Sequence, residues 1–243
     1  MSNNDSYMPR PNARRLLKDV KSIIKESLES ENIYYKHDEN NMLKGYALII
    51  GPKDTPYENG YYFFEFHFPM DYPYSPPKLI YKTNTEYIRF HPNFYKNGKV
   101  CISLLNTWPG DPWTSCQTIR SILITLSMLF DNKPLLHEPG ITESHYDFHN
   151  YNEIISYKNL EFSYFKIGYE LIRSTLLVET AQYFVENIKR HFKENYAYML
   201  NKVEKYKTTT PKTKRLTTTI YGMANIDINF VNLFNLFSLY KSK

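Results

Sequence analysis

Between Asn32 and Tyr81 the chain carries four short runs rich in β-branched and aromatic residues: Ile33 to Lys36, Leu43 to Ile50, Tyr61 to Phe68 and Lys78 to Tyr81. Turn residues at Gly51-Pro52-Lys53-Asp54 and Glu58-Asn59-Gly60 cut them apart. Strands of this length joined by short turns become antiparallel neighbours, so the pattern predicts a four-stranded meander. The stretch Phe68-Pro69-Met70-Asp71-Tyr72-Pro73-Tyr74-Ser75-Pro76-Pro77 lies inside it. Proline fixes its own φ and biases its predecessor away from helix, which makes this a rigid extended loop at one end of the sheet.

Helical periodicity flanks the strands. Ala13, Leu16, Leu17, Val20, Ile23, Ile24 and Leu28 recur at three- and four-residue spacing and predict an amphipathic helix over residues 12–30. A core helix is expected over residues 115–130, with Ile119, Ile122, Leu123, Leu126 and Leu129 on one stripe and Thr114 or Ser115 as N-cap. Beyond Pro134 and the Glu138-Pro139-Gly140 break, two more helices are expected, over residues 151–172 and 180–206. The fold class is therefore α/β of the α+β kind, and 42% hydrophobic against 23% charged residues suits a packed core. Four segments are expected: a flexible N-terminus (1–10), one domain with a helical extension (11–206), a basic Thr-rich linker (207–219) and an amphipathic tail (220–243). The tail stripe Phe230, Leu233, Phe234 and Phe237 would fold back on the domain or enter a partner's groove.

The net charge of +5 invites a nucleic-acid reading until it is located along the chain. Lys202, Lys205, Lys207, Lys212, Lys214 and Arg215, with Glu204 the only acid among them, account for all of it. The rest is neutral overall, which argues against a nucleic-acid face on the fold and confines any such contact, or one to an acidic membrane, to this segment. Two cysteines, no secretory leader and no long apolar run predict free thiols in a reducing cytoplasmic or nuclear compartment, without a transmembrane segment. His145 and His149 have the i, i+4 spacing of metal ligands but no third partner at suitable spacing, so no metal site is expected.

Residues 84–114 show no long periodic element, yet they hold His91, Asn93, Cys101 and both tryptophans. Functional groups commonly sit on such loops when a rigid scaffold positions them. In Phe90-His91-Pro92-Asn93-Phe94-Tyr95-Lys96-Asn97-Gly98-Lys99-Val100-Cys101 an asparagine precedes the cysteine by eight residues, with a glycine turn between them. This resembles the ubiquitin-conjugating enzymes, whose His-Pro-Asn tripeptide precedes the active-site cysteine at this spacing. Gly51-Pro52, Asp54-Thr55-Pro56-Tyr57, Gly60, Phe68-Pro69, Asp71-Tyr72-Pro73, Pro76-Pro77-Lys78 and Trp113 resemble further family segments in the same order. Val100 to Trp108, Asn132-Lys133-Pro134, Glu138-Pro139-Gly140, Tyr151-Asn152-Glu153 and Lys189-Arg190-His191-Phe192 are similar to an enlarged-domain branch. That branch includes the conjugating domain of the giant apoptosis-inhibitor hybrid enzymes. The resemblance runs from about Ala13 to Tyr206.

The resemblance implies the ubiquitin-conjugating fold and a Cys101 that carries ubiquitin as a thioester, received from the ubiquitin-activating enzyme and passed to a substrate lysine or a ligase. Asn93 would donate to the oxyanion or brace the loop, with His91 and Pro92 as its structural support. Glu138, before Pro139, matches the acidic residue that helps the incoming lysine shed its proton, although an ordinary solvated glutamate would satisfy the same pattern. Arg14, Arg15 and Lys18 would meet the activating enzyme, and Tyr74, Trp113, Thr114 and Ser115 a ligase. No cofactor is implied. Two departures stand out: Ser103 where many relatives carry Asp, and Thr114-Ser115-Cys116 where Ser-Pro-Ala commonly follows the tryptophan. Two alternatives stay open, conjugation of another ubiquitin-like modifier and a noncatalytic ubiquitin-binding module of the same fold.

Overall fold

A computed structural model describes residues 7–85, 87–175, 178–210 and 213–241. The expected flexible N-terminus lies largely outside them, and helix α1 (Arg10–Lys25) already begins at Arg10. Leu16, Val20 and Ile23 point inward, while Leu17 and Ile24, from the same periodic set, remain exposed. The helix stops short of Ser30 because Ser27 Oγ accepts the Glu29 amide and the chain tightens into a 3-10 turn, Glu29–Glu31, closed by Asn32 at φ 59°. Asparagine tolerates that left-handed conformation better than most residues.

Strands β1 (Ile33–His37), β2 (Lys44–Ile50), β3 (Tyr61–His67) and β4 (Lys78–Tyr81) form the expected antiparallel meander in the order β1-β2-β3-β4. Leu48 lies opposite Tyr34 on one side and Phe63 on the other. Neighbouring strand residues face opposite sides of the sheet. Tyr62 and Phe64 meet Phe130 and Phe94 at centroid distances of 4.5 and 5.3 Å, in the core under helix α2 (Ile119–Met128). On the other face Tyr46 stacks on Tyr183 at 3.7 Å, Tyr61 on Tyr164 at 6.0 Å, and Phe63 meets Phe184 at 6.3 Å. Both faces of the central strands are thus covered, which explains why β2 and β3 read as continuous apolar runs rather than alternating.

Helix α2 is capped by Thr118, not by Thr114 or Ser115. Thr118 Oγ1 accepts the Ser121 amide at 3.3 Å and Ser121 Oγ accepts the Thr118 amide at 2.9 Å, a capping box. The helix expected over 151–172 is α3 (Phe148–Lys158), a π-helical stretch (Asn159–Lys166) and α4 (Ile167–Ile172) in one continuous rod. Asn159 ties its start to the sheet, accepting Tyr62 Oη at 2.6 Å and donating to the Glu58 carbonyl at 2.9 Å. Helix α5 (Val185–Thr209) follows.

Among the described residues, the expected linker and tail are folded parts of the domain. Lys214–Thr218 (β5) and Met223–Ile228 (β6) make an antiparallel hairpin packed on α3, and Phe230–Lys241 (α6) packs on α5. Composition misled here because threonine, read as linker material, is also a strand former. Leu216, Met223, Ile226 and Ile228 turn inward as the hairpin's apolar side. The basic cluster is also largely tied within the fold. Lys202 pairs with Glu58, Lys214 with Glu153, Arg215 with Asp227, and Lys207 sits over the Phe234 ring.

Phe237 is fully buried between Phe165, at 4.2 Å, and Tyr196, at 6.1 Å. Phe237→Ala is expected to destabilise the protein by about 3–5 kcal/mol, the cost of emptying a phenylalanine site in a close-packed core. A melting temperature unchanged by this substitution would show that α6 is not part of the cooperative unit.

Candidate active site

The segment His91–Cys101 is built on the underside of the sheet. Phe94 stacks on Tyr81 at 4.9 Å, Tyr57 Oη donates to the Phe90 carbonyl at 2.7 Å, and Tyr151 Oη donates to the Arg89 carbonyl at 2.9 Å. The chain reverses over Tyr95–Lys99, where Gly98 adopts φ +86°. A Cβ there would stand 2.9 Å from Ile80 Cγ2 and 3.1 Å from the Tyr81 carbonyl, whose own amide is held by the Gly98 carbonyl at 2.8 Å. Gly98→Ala should therefore cost about 1–3 kcal/mol through backbone strain and contact with β4, measured as a fall in denaturant midpoint.

This reversal sets Cys101 against Asn93. The Cys101 amide donates to the Asn93 carbonyl at 2.9 Å, and Asn93 Nδ2 donates to the Cys101 carbonyl at 2.5 Å. Reversing the Asn93 amide would set oxygen against oxygen, so its orientation follows from the pairing. Asn93 Oδ1 is buried without a partner. Cys101 is 2% exposed, whereas Cys116 is exposed.

His91 is fully buried and accepts the Asn93 amide on Nδ1 at 3.0 Å. Burial pushes its pKa well below the usual histidine range, the charges of His137 and Arg89 push the same way, and the Leu129 carbonyl opposes them. His91 is therefore neutral. The Pro92 carbonyl accepts Arg89 Nη2, which anchors the opposite side of the tripeptide. After the cysteine, Thr107 Oγ1 accepts the Ile102 amide and donates to the Val100 carbonyl, both at 3.0 Å. A cavity of about 550 Å³ lies alongside, lined among others by Pro76, Pro77, Leu79, Val100, Leu105 and Thr107.

Glu138, half-buried after the short turn Pro134–His137, accepts a hydrogen bond from Tyr221 on the loop between β5 and β6. Sequence reasoning missed that partner. The Tyr221-Gly222 turn between two alternating runs marks a hairpin loop, but nothing in the primary sequence ties it to a glutamate 83 residues earlier.

The expected partner-binding residues divide. Arg14 and Lys18 are exposed on α1. Arg15 is occupied internally: its Nε bonds both oxygens of Asp19, and its Nη atoms reach the Ser115 and Gln117 carbonyls at 2.6 and 2.7 Å. It ties α1 to the chain entering α2 rather than offering a free charge. Tyr74 is 74% exposed, and Thr114 and Ser115 are exposed. Trp113 is buried instead, donating from Nε1 to the Pro73 carbonyl at 2.7 Å, because a buried indole N–H needs an acceptor. It holds the proline-rich loop against the segment that leads into α2. Among the described residues, no helix is long and apolar enough to cross a membrane.

Comparison with known proteins bears on the family of the chain. Residues 15–158 match the family model described as ubiquitin-conjugating enzyme. Ubiquitin-conjugating enzyme E2 Z of Homo sapiens is 42% identical over 149 residues, covering 60% of this chain and 42% of that protein. The probable ubiquitin-conjugating enzyme protein 17 of Caenorhabditis elegans is 33% identical over 189 residues, 75% of this chain and 26% of that protein. The dual E2 ubiquitin-conjugating enzyme/E3 ubiquitin-protein ligase BIRC6 of Homo sapiens is 39% identical over 121 residues, 47% of this chain and 2% of that protein. The chain thus spans less than half the length of these relatives, and the enlarged-domain branch is among them. With the family match running from α1 through α3 and enclosing the Asn93–Cys101 pair, the chain belongs to the ubiquitin-conjugating enzyme family.

Proposed function

We propose that Cys101 receives ubiquitin from the activating enzyme as a thioester and transfers it to a substrate lysine or to a ligase cysteine. The carrying observation is the reciprocal pairing of Asn93 and Cys101, which holds an amide donor beside the cysteine on a braced loop. In loading, the Cys101 thiolate attacks the carbonyl carbon of the activating enzyme's thioester, and that enzyme's cysteine leaves as thiolate. In discharge to lysine, the ammonium first gives up one proton. Its nitrogen bonds to the carbonyl carbon, a second proton leaves the tetrahedral species, and the C–S bond breaks to return the Cys101 thiolate.

Each residue then has a task. One hydrogen of the Asn93 amide is spent on the Cys101 carbonyl, and the other is free to meet the oxyanion, so bracing and donation are compatible. Glu138 takes the first proton or attracts the ammonium, a group with an unperturbed pKa of about 10.4. The cavity along Pro77, Val100 and Leu105, residues flanking Cys101 in the fold, suits an extended C-terminal tail. Arg14 and Lys18 are the charges open to the activating enzyme, and Tyr74, Thr114 and Ser115 form the surface open to a ligase.

The test is incubation of the protein with activating enzyme, ATP and ubiquitin, followed by nonreducing and reducing gels. A single thiol-sensitive adduct is expected, and it should persist in Cys116→Ala. No adduct with ubiquitin overturns the ubiquitin assignment, and repetition with other ubiquitin-like modifiers then separates a different cargo from a noncatalytic binding role.

A further inference from the structure

The hairpin β5–β6 brings one side chain of the C-terminal extension onto the catalytic side of the molecule. Tyr221 Oη donates to Glu138 Oε2. The same ring lies under the Arg89 guanidinium, 4.2 Å from its centroid, and Arg89 also stacks on Tyr95 at 3.8 Å while donating to the Pro92 carbonyl. Lys96 Nζ donates to the Tyr221 carbonyl at 3.2 Å, and Tyr151 packs edge-on at 5.8 Å. Tyr221 therefore joins Glu138 to the loop that carries Asn93 and leads to Cys101.

The loop presenting it is held from several sides. Asp147, 2% exposed, accepts from the Thr219 amide at 3.0 Å, Thr219 Oγ1 at 2.9 Å and the Ile220 amide at 2.9 Å through one carboxylate oxygen. Asn150 donates to the Thr217 carbonyl at 3.2 Å. Within this anchored loop Tyr221 adopts φ 62°, a left-handed conformation unfavourable for a bulky residue, directly before Gly222 at φ 60°. Strain of this kind persists where the surroundings over-determine it, and it clusters at functional sites. Here it aims a phenol hydroxyl at a carboxylate.

We infer that Tyr221 is a positioning residue for lysine discharge, fixing the Glu138 carboxylate relative to the catalytic loop through its hydroxyl. The inference rests on the role of Glu138 proposed above. Phenol suits the task, since it donates one directed hydrogen bond and brings no charge of its own. Burial, together with the hydrogen bond to Glu138, keeps the Tyr221 hydroxyl protonated far above neutral pH. In Tyr221→Phe the ring keeps its place under Arg89 and against Tyr151, and only the donor is lost.

The experiment charges wild type, Tyr221→Phe, Tyr221→Ala, Glu138→Gln and the Tyr221→Phe/Glu138→Gln double variant on Cys101. It stops the supply with an activating-enzyme inhibitor and follows loss of the thioester against free lysine concentration. Tyr221→Phe is expected to lower the limiting rate about fivefold, the worth of one directed hydrogen bond, with the lysine concentration at half-maximal rate unmoved. Glu138→Gln should lower the rate further, and the double variant should match Glu138→Gln, since the hydroxyl acts only through that carboxylate. Tyr221→Phe should restore the melting temperature lost in Tyr221→Ala but not the rate, which separates positioning from packing.

If Tyr221→Phe discharges at the wild-type rate or faster while Glu138→Gln is impaired, the inference is wrong and the glutamate's role stands. If the two losses multiply, Tyr221 works by another route and the inference is likewise wrong. A Glu138→Gln variant with wild-type discharge removes the underlying reading and this one with it.

Discussion

Cys101→Ala is expected to carry no ubiquitin after incubation with activating enzyme and ATP, while Cys116→Ala should be charged as the wild type is. The contrast is informative because exposure alone points the other way. Cys116 is open to solvent, and Cys101 is 2% exposed. A thiol chosen for accessibility would be Cys116, and an alkylating reagent should react there first. What favours Cys101 is its setting. Its carbonyl and amide are both paired with Asn93, and the loop around it is braced by Tyr57, Tyr151 and Arg89. Cys101→Ser should give a second, chemically distinct result. Any adduct it forms is an oxygen ester, stable to reductant, and it discharges slowly because an alkoxide is a poorer leaving group than a thiolate. Nonreducing and reducing gels of the three variants read all of this. An adduct that survives in Cys101→Ala and is cleaved by thiol would move the carrier to another residue.

Asn93→Ala is expected to slow discharge onto lysine by about a hundredfold while a thioester still forms, the loss typical of one oxyanion donor. The same change should lower stability by about 1–3 kcal/mol, because the Cys101 carbonyl loses its Nδ2 partner in a buried setting. The unpartnered Asn93 Oδ1 vanishes with the side chain and offsets part of that loss. Single-turnover discharge and denaturant melts, taken on the same preparations, separate the two roles. A stability loss accompanied by less than a tenfold loss of rate would make Asn93 a brace alone.

Much of the fold was legible in the chain itself. The meander follows from apolar runs of strand length with turn residues between them. The segment from His91 to Cys101 was legible as a site through its resemblance to the family, which rests on local features: the His-Pro-Asn tripeptide, Gly98 and the eight-residue spacing. Less legible were the capping of α2, where Thr118 rather than Thr114 or Ser115 meets the geometry, and the hairpin β5–β6, hidden by a composition common to strands and linkers.

The partner surfaces divide for a related reason. The sequence shows that Arg15 and Trp113 have groups capable of recognition, but not whether neighbours inside the fold already occupy them. Arg15 is spent on Asp19, Ser115 and Gln117, and Trp113 on Pro73. Hydrogen-bonding capacity is a property of the residue, whereas its availability is a property of the packing.

The primary sequence by itself determined the strand meander, the existence of α1 and α2 and the glycine turn between Asn93 and Cys101, because each depends on residues close along the chain. Only the tertiary structure decided what covers the outer face of the sheet, which charged side chains stay free, and that Tyr221 meets Glu138. Those outcomes depend on contacts between segments tens of residues apart, whose geometry exists only once the core has formed.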